Sequence, residues 1–179
     1  MRIIRGLYRG KQIVAPRSLP VRPTTDYAKE ALFNILENLV GIEEISVLDL
    51  FAGTGSISYE FASRGCMDIT SVDNHLQCTN FINRTKDMLG IDKLNVVHSD
   101  VFRFLRTCGR SFDLVFADPP YVMENIDKLP EIVMRSNVLK DNGLFILEHT
   151  KRLTFSHEPA FWQHRNYGGV NFSFFRHPL

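Results

Sequence analysis

Between residues 46 and 148 the chain alternates short apolar runs with longer stretches whose apolar residues fall three and four apart. Residues 46–51, 69–72, 94–98, 112–117 and 143–148 read as buried strands, each short and bounded by Gly, Pro, Asp or Asn. Residues 56–64, 75–89, 102–107 and 125–136 read as helices, the first two closed by Gly65 and Gly90. Such alternation predicts an α/β fold with a mostly parallel sheet covered by helices on both faces. The end of the chain breaks the pattern. Residues 162–167 and 170–176 flank Gly168-Gly169 and predict an antiparallel hairpin.

Before the alternation, Ala28, Leu32, Ile35, Leu36 and Leu39 place a helix over residues 25–39, with Thr24-Thr25-Asp26 as its cap and first-turn acid. Residues 2–15 alternate only loosely around Gly6 and Gly10, which predicts a small β-hairpin or two short strands. Pro16, Pro20 and Pro23 make residues 16–23 a stiff connector. We expect residues 1–23 to be an extension and residues 24–179 the main domain.

The run 112–121 ends in Asp118-Pro119-Pro120-Tyr121. Neither proline can donate to a sheet ladder, so the strand stops and Asp118 and Tyr121 project from a rigid corner at its carboxyl end. Ligands of open α/β sheets bind at that edge. A carboxylate, two unclaimed backbone carbonyls and an aromatic ring suit a planar ring that bears an amino group.

Residues 48–56, Leu-Asp-Leu-Phe-Ala-Gly-Thr-Gly-Ser, run from a strand into a glycine loop that opens a helix. Gly53 and Gly55 permit close backbone approach. Ser58 occupies the third glycine position of a dinucleotide fingerprint, and Asp49 would repel a pyrophosphate while attracting an ammonium or sulfonium. Asp73, twenty residues after Gly53, ends the next strand, where a carboxylate can accept both hydroxyls of a ribose; an ordinary strand-end turn is the other reading. Asp100 follows the third strand and suits an adenine amino group, the N-cap of the next helix, or both.

Charge adds a polarity to this picture. Residues 1–29 hold seven basic side chains against Asp26, a net of +6, so the remainder carries −5 in a chain of +1 overall. Aromatic and glycine residues interrupt the basic ones, which favours a polyanion-binding edge over a solvated tail. Apolar content of 44% is that of an ordinary globular protein, and no apolar run approaches the roughly 20 residues of a membrane span. Cys66, Cys78 and Cys108 lack CxxC spacing, so small buried thiols in a reducing cytoplasm fit better than disulfides. The six histidines share no metal-ligand spacing, and no metal is expected.

A glycine loop, two strand-end acids and Asp-Pro-Pro-Tyr at the ends of successive strands resemble a class I S-adenosylmethionine-dependent methyltransferase. With Arg-Gly-Leu-Tyr-Arg-Gly-Lys at 5–11 and Arg22-Pro23-Thr24-Thr25-Asp26 leading to Leu32-Phe33-Asn34, the chain resembles the RsmD family over nearly its whole length. The resemblance implies a Rossmann-like, seven-stranded sheet and transfer of a methyl group from S-adenosylmethionine to N2 of a guanine in bacterial small-subunit (16S) ribosomal RNA. It implies Asp49, Phe51, Ala52, Gly53 and Gly55 at the methionine end, Asp73 with Asn74 at the ribose, and Asp100 with Val101 at the adenine. Asp118, Pro119 and Tyr121 become the catalytic corner. Arg2, Arg5, Tyr8, Arg9, Lys11 and Arg22 become the RNA-binding set, with Tyr8 either stacking or packing. Asp73 departs from the glutamate frequent in the family, and residues 149–151 match no usable pattern. The expected partner is ribosomal RNA or the small subunit, with no membrane and with the protein a monomer. Two competing readings remain: an adenine-N6 methyltransferase on DNA or RNA, since the corner fits that amine equally well, and a non-catalytic RNA-binding assembly factor.

Overall fold

The computed structural model describes residues 1–21 and 25–177. Helix α1 (Asp26–Leu39) is capped by Thr25, whose hydroxyl accepts from Ala28 N–H. The alternating part follows as β1 (Ser46–Leu50), α2 (Ser56–Ser63), β2 (Asp68–Asp73), α3 (Leu76–Leu89), β3 (Leu94–His98), α4 (Val101–Thr107), β4 (Phe112–Ala117), α5 (Leu129–Arg135) and β5 (Leu139–His149). The hairpin β6 (Phe161–Tyr167) and β7 (Val170–Phe175) closes the chain.

The strands form one sheet in the order β3-β2-β1-β4-β5-β7-β6, parallel from β3 to β5 and antiparallel at β5–β7 and β7–β6. The period-two alternation of each strand feeds two cores. Val47, Ile69, Leu114, Phe116, Ile146, Phe172 and Phe174 pack with α1, α2 and α3 on one face. Leu48, Leu50, Val72, Val115, Phe145 and Phe175 pack with α4 and α5 on the other. Central strand β1 is buried along its full length, as expected when helices cover both faces of a parallel sheet.

The chain direction reverses its order between β1 and β4. The strand after β1 adds on one side and β4 adds on the other, so a crevice opens above their carboxyl ends. Both the glycine loop and the proline corner lie on that edge.

Three elements depart from the sequence expectation. The N-terminal hairpin shrinks to one antiparallel bridge, Arg2 to Gln12, with Gly6 and Gly10 at positive φ in the turn. Its backbone donors go elsewhere: Ile4 and Arg5 N–H donate to the Glu60 carboxylate, Leu7 N–H to the Ser63 carbonyl, and Tyr8 N–H to the Ser63 hydroxyl. The helix expected over 125–136 is divided into a 3-10 turn, Ile126–Lys128, and α5, which carries Pro130 in its first turn where a missing N–H costs nothing. Strand β5 begins at Leu139 rather than 143, because a register shift against β4 lets the ladder pass Asp141-Asn142-Gly143. A Cβ at Gly143 would stand 2.6 Å from Leu139 Cδ1, so the irregularity requires glycine.

Candidate active site

The glycine loop leaves β1 through Phe51, a non-glycine residue in the left-handed region at φ 58°. Gly53 and Gly55 continue with φ of 55° and 79°. A Cβ on Gly55 would stand 2.7 Å from Tyr59 Cζ, so both the turn and the packing exclude a side chain there. Ala52 N–H reaches across to the Val72 carbonyl at 3.1 Å and holds the loop against β2.

Asp73 completes that hold. One carboxylate oxygen accepts Gly53 N–H at 2.8 Å and the other accepts His75 N–H at 2.8 Å. The side chain is nearly buried, while Asn74 beside it is exposed. Asp73 is therefore first a splint for the loop. Each carboxylate oxygen retains a second lone pair, so the shorter arm is compatible with further hydrogen bonds.

Asp49 lies beneath the loop and is fully buried. Its Oδ2 accepts the Ser58 hydroxyl at 2.6 Å, and Ser58 and Ser71 hydroxyls pair at 2.6 Å. Ser58 N–H also donates to this carboxylate. Gly55, the N-cap of α2, has no side chain to satisfy the first helical amides, and Asp49 supplies that acceptor from the neighbouring strand. Burial raises its pKa from 3.8 to about 7 against the opposing effect of the Ser58 bonds, with the nearby Asp73 charge adding to the rise.

Asp100 caps α4, accepting Arg103 N–H at 2.8 Å, and stays exposed; Val101 behind it is buried. Ser99 N–H bonds the Asp73 carbonyl at 3.0 Å, which keeps the second and third strand ends level. The corner of β4 is set against the same loop. Asp118 N–H approaches the Leu50 carbonyl at 3.4 Å, Pro119 is buried, and a turn runs from the Pro120 carbonyl to Met123 N–H at 2.8 Å. Tyr121 stands 46% exposed, so an aromatic face is presented to solvent at the mouth.

The basic N-terminal residues divide by fate. Lys29 is buried at 1% exposure, and its Nζ donates to the Arg2 carbonyl at 2.7 Å and the Ser56 hydroxyl at 3.1 Å and lies 3.6 Å from Glu60. Burial lowers its pKa, and the neighbouring Glu60 charge opposes the shift. Glu60, fully buried, also pairs with Arg64 at 2.9 Å. Arg5 bonds Glu37 at 2.6 Å at the surface, and Arg2 lies 3.9 Å from Asp26. Arg9 and Lys11 are exposed and make no ion pair among the described residues. Tyr8 is half-buried against the core, and Arg22 lies outside the described residues.

Lys29 and Glu60 escaped the sequence reading. The signal was present: position 29 falls with Leu32, Phe33 and Leu36 on the apolar face of α1, where a charge implies a buried partner. His149, in the unmatched segment, is a buried packing residue held between the Thr150 carbonyl and the Ser173 hydroxyl, both at 2.8 Å, with its pKa lowered by burial.

Comparison with known proteins gives this geometry a lineage. The family model described as conserved hypothetical protein 95 matches residues 1–176. The ribosomal RNA small subunit methyltransferase D of Escherichia coli K12 is 30% identical over 162 residues, covering 90% of this chain and 81% of the relative. The chain belongs to the RsmD family. The Haemophilus influenzae methyltransferase D is 32% identical over 84% of this chain and 79% of its own length. Among solved structures, a Thermus thermophilus protein of undescribed function superposes with a TM-score of 0.85 at 28% identity, covering 98% of this chain and 99% of its own. The class I methyltransferase fold is evident in the Thermus thermophilus 16S rRNA N2 G1207 methyltransferase RsmC, solved with AdoMet and guanosine. It matches 87% of this chain and 44% of its own at 23% identity and a TM-score of 0.70.

In this RsmD-family chain a cavity of about 230 Å³ opens beside the corner. Tyr121, Met123, Asn125 and Asp127 line it from the segment after β4, and Thr150 and Arg152 from the segment after β5. Asn125 holds a left-handed backbone at φ 61°, a conformation Asn tolerates better than most residues. No group of three or more His, Cys, Asp or Glu side chains is arranged to hold a metal ion among the described residues.

Proposed function

We propose that this chain transfers a methyl group from S-adenosylmethionine to the exocyclic N2 of a guanine in small-subunit ribosomal RNA. The observation that carries the reading is the corner Asp118-Pro119-Pro120-Tyr121, locked through Asp118 N–H to the carbonyl of Leu50 at the root of the glycine loop. Family membership supports the RNA, and the corner supports an amine as acceptor.

The donor set fits the cofactor. Three carboxylates, Asp49, Asp73 and Asp100, surround the loop, an arrangement that disfavours a pyrophosphate and suits a nucleoside with a cationic end. Asp73 with Asn74 would hold the ribose, Asp100 and Val101 the adenine, and the backbone of Phe51, Ala52, Gly53 and Gly55 the methionine end. Bound there, S-adenosylmethionine supplies an activated methyl carried on sulfur.

The chain's own task is the nucleophile, because the N2 lone pair of guanine is delocalised into the ring. The Asp118 carboxylate and the Pro119 carbonyl accept the two N–H bonds of the amine. That orientation frees the lone pair from conjugation and stabilises positive charge as it develops on nitrogen. Tyr121 stacks on the base, an interaction of roughly 1–3 kcal/mol. The base must leave its own stack to reach the corner, so an unpaired or extruded guanine is required. Arg2, Arg5, Arg9, Lys11 and Arg22 hold the flanking phosphates, with the Arg5–Glu37 surface pair exchanged for a phosphate at little cost.

Labelled cofactor offered to small-subunit RNA and to reconstituted small subunits, followed by nucleoside mass spectrometry, tests the reading. N2-methylguanosine is the expected product. Label in N6-methyladenosine, or cofactor binding without transfer to either substrate, overturns it.

A further inference from the structure

We propose that the cavity beside the corner receives the guanine and that Arg152 reads its O6 and N7 atoms, which makes Arg152 the residue that selects guanine over adenine. This rests on the guanine-N2 reading and sharpens it, because Asp118 and Pro119 by themselves accept any exocyclic amine.

The topology brings the parts together. Strands β4 and β5 are parallel neighbours with Ala117 paired to Leu147. Three residues beyond each partner, Pro120 and Thr150 stand level at the carboxyl edge, so Tyr121 and Arg152 share one cavity. Arg152 is exposed and has no hydrogen bond or ion pair among the described residues, although Asp127 lines the same space. A guanidinium that leaves a nearby carboxylate unclaimed keeps its planar donor fork available for a ligand.

The shape of the bases decides what that fork meets. In guanine the N2 amine belongs to the sugar edge, and the O6/N7 edge lies across the ring system. With N2 held at the corner and the ring on Tyr121, the edge turned toward the β5 side carries two adjacent acceptors. An arginine fork pairs with O6 and N7 in bidentate fashion. In adenine the amine is itself on the N7 edge. Holding that amine at the corner turns the opposite edge toward Arg152, where N3 is the sole acceptor. A bidentate pair is therefore open to guanine alone.

The test uses the full chain and small-subunit RNA transcribed with guanosine or wholly with 7-deazaguanosine, which replaces N7 by C–H, each reconstituted with small-subunit proteins. Wild-type protein is expected to methylate the 7-deaza particle about tenfold more slowly. Arg152→Ala is expected to lower transfer to the guanosine particle by about 10- to 100-fold and to treat the two particles alike, with cofactor affinity and melting temperature unchanged. Arg152→Lys, with a charge and no planar fork, is expected to recover part of the rate and little of the discrimination. Full activity of Arg152→Ala overturns the assignment. So does an equal loss on both particles with discrimination retained, which marks a phosphate contact. Failure of the guanine-N2 reading shows separately in wild type, as label in another nucleoside of the guanosine particle.

Discussion

The two halves of the carboxyl edge are built differently. Over β1, β2 and β3 the site is assembled by the protein for itself: Asp73 splints Gly53, Asp49 caps α2, and Asp100 caps α4. Over β4 and β5 it is open, with Tyr121 and Arg152 exposed around a cavity of about 230 Å³. The difference matches what each half receives. A small cofactor needs a preformed backbone cradle, which needs acceptors already spent on holding it. A base drawn from a large RNA supplies its own stacking and hydrogen bonds, so side chains can wait in solvent until it arrives.

Breaking the foundation of the closed half has the largest expected effect. Lys29→Met leaves buried Glu60 short of a cation and frees the carbonyl of Arg2 and the hydroxyl of Ser56, beside the glycine loop. A loss of about 3 kcal/mol in unfolding free energy is expected, because removing one partner of a buried pair strands the other. Denaturant unfolding measures it, and a loss below about 1 kcal/mol would show that Arg64 alone suffices for Glu60.

Asp118→Asn attacks the open half. The neutral amide weakens the pull on the developing cation, and transfer is expected to fall about 10²- to 10³-fold. Cofactor affinity by calorimetry should not change, since no cofactor contact is removed. A parallel loss of affinity would mean that the halves are not separable at this residue.

A smaller effect tests Asp49 through pH. Its folded pKa of about 7 exceeds the ordinary 3.8. Across that window the unfolded chain has released the proton while the native state still binds it, so this residue's contribution falls as pH rises and levels off above about pH 7. Asp49→Asn should flatten the corresponding part of the ligand-free melting temperature between pH 5 and 7, measured as the difference from wild type. An unchanged slope would place the charge elsewhere.

The smallest expected change concerns the N-terminal segment. Arg9 and Lys11 make no ion pair among the described residues, so replacing both with Ala should reduce the salt slope of RNA binding by about two phosphate contacts. Binding titrations at several salt concentrations read it. The same slope in the variant would remove these two residues from the interface.

Most of the fold was legible in the chain itself. Strand–helix alternation, the stop at Pro119-Pro120, the glycine turn at 53–55 and the acids Asp73 and Asp100 are local properties, and local rules of backbone geometry read them correctly. So was the core role of Phe172, Phe174 and Phe175, since alternation along a strand assigns faces without reference to partners. Tertiary structure alone decided where charges go. Lys29 counted toward a basic segment until α2 brought Glu60 beneath it, and Asp49 looked like a ligand residue until Ser58 and Ser71 closed over it. It also decided the N-terminal segment, whose amides pair with α2 instead of a ladder, and the meeting of Arg152 with Tyr121 across adjacent strand ends. Backbone preference acts over a few residues and is written in sequence. Desolvation and ion pairing depend on partners tens of residues away, and only the folded chain chooses those.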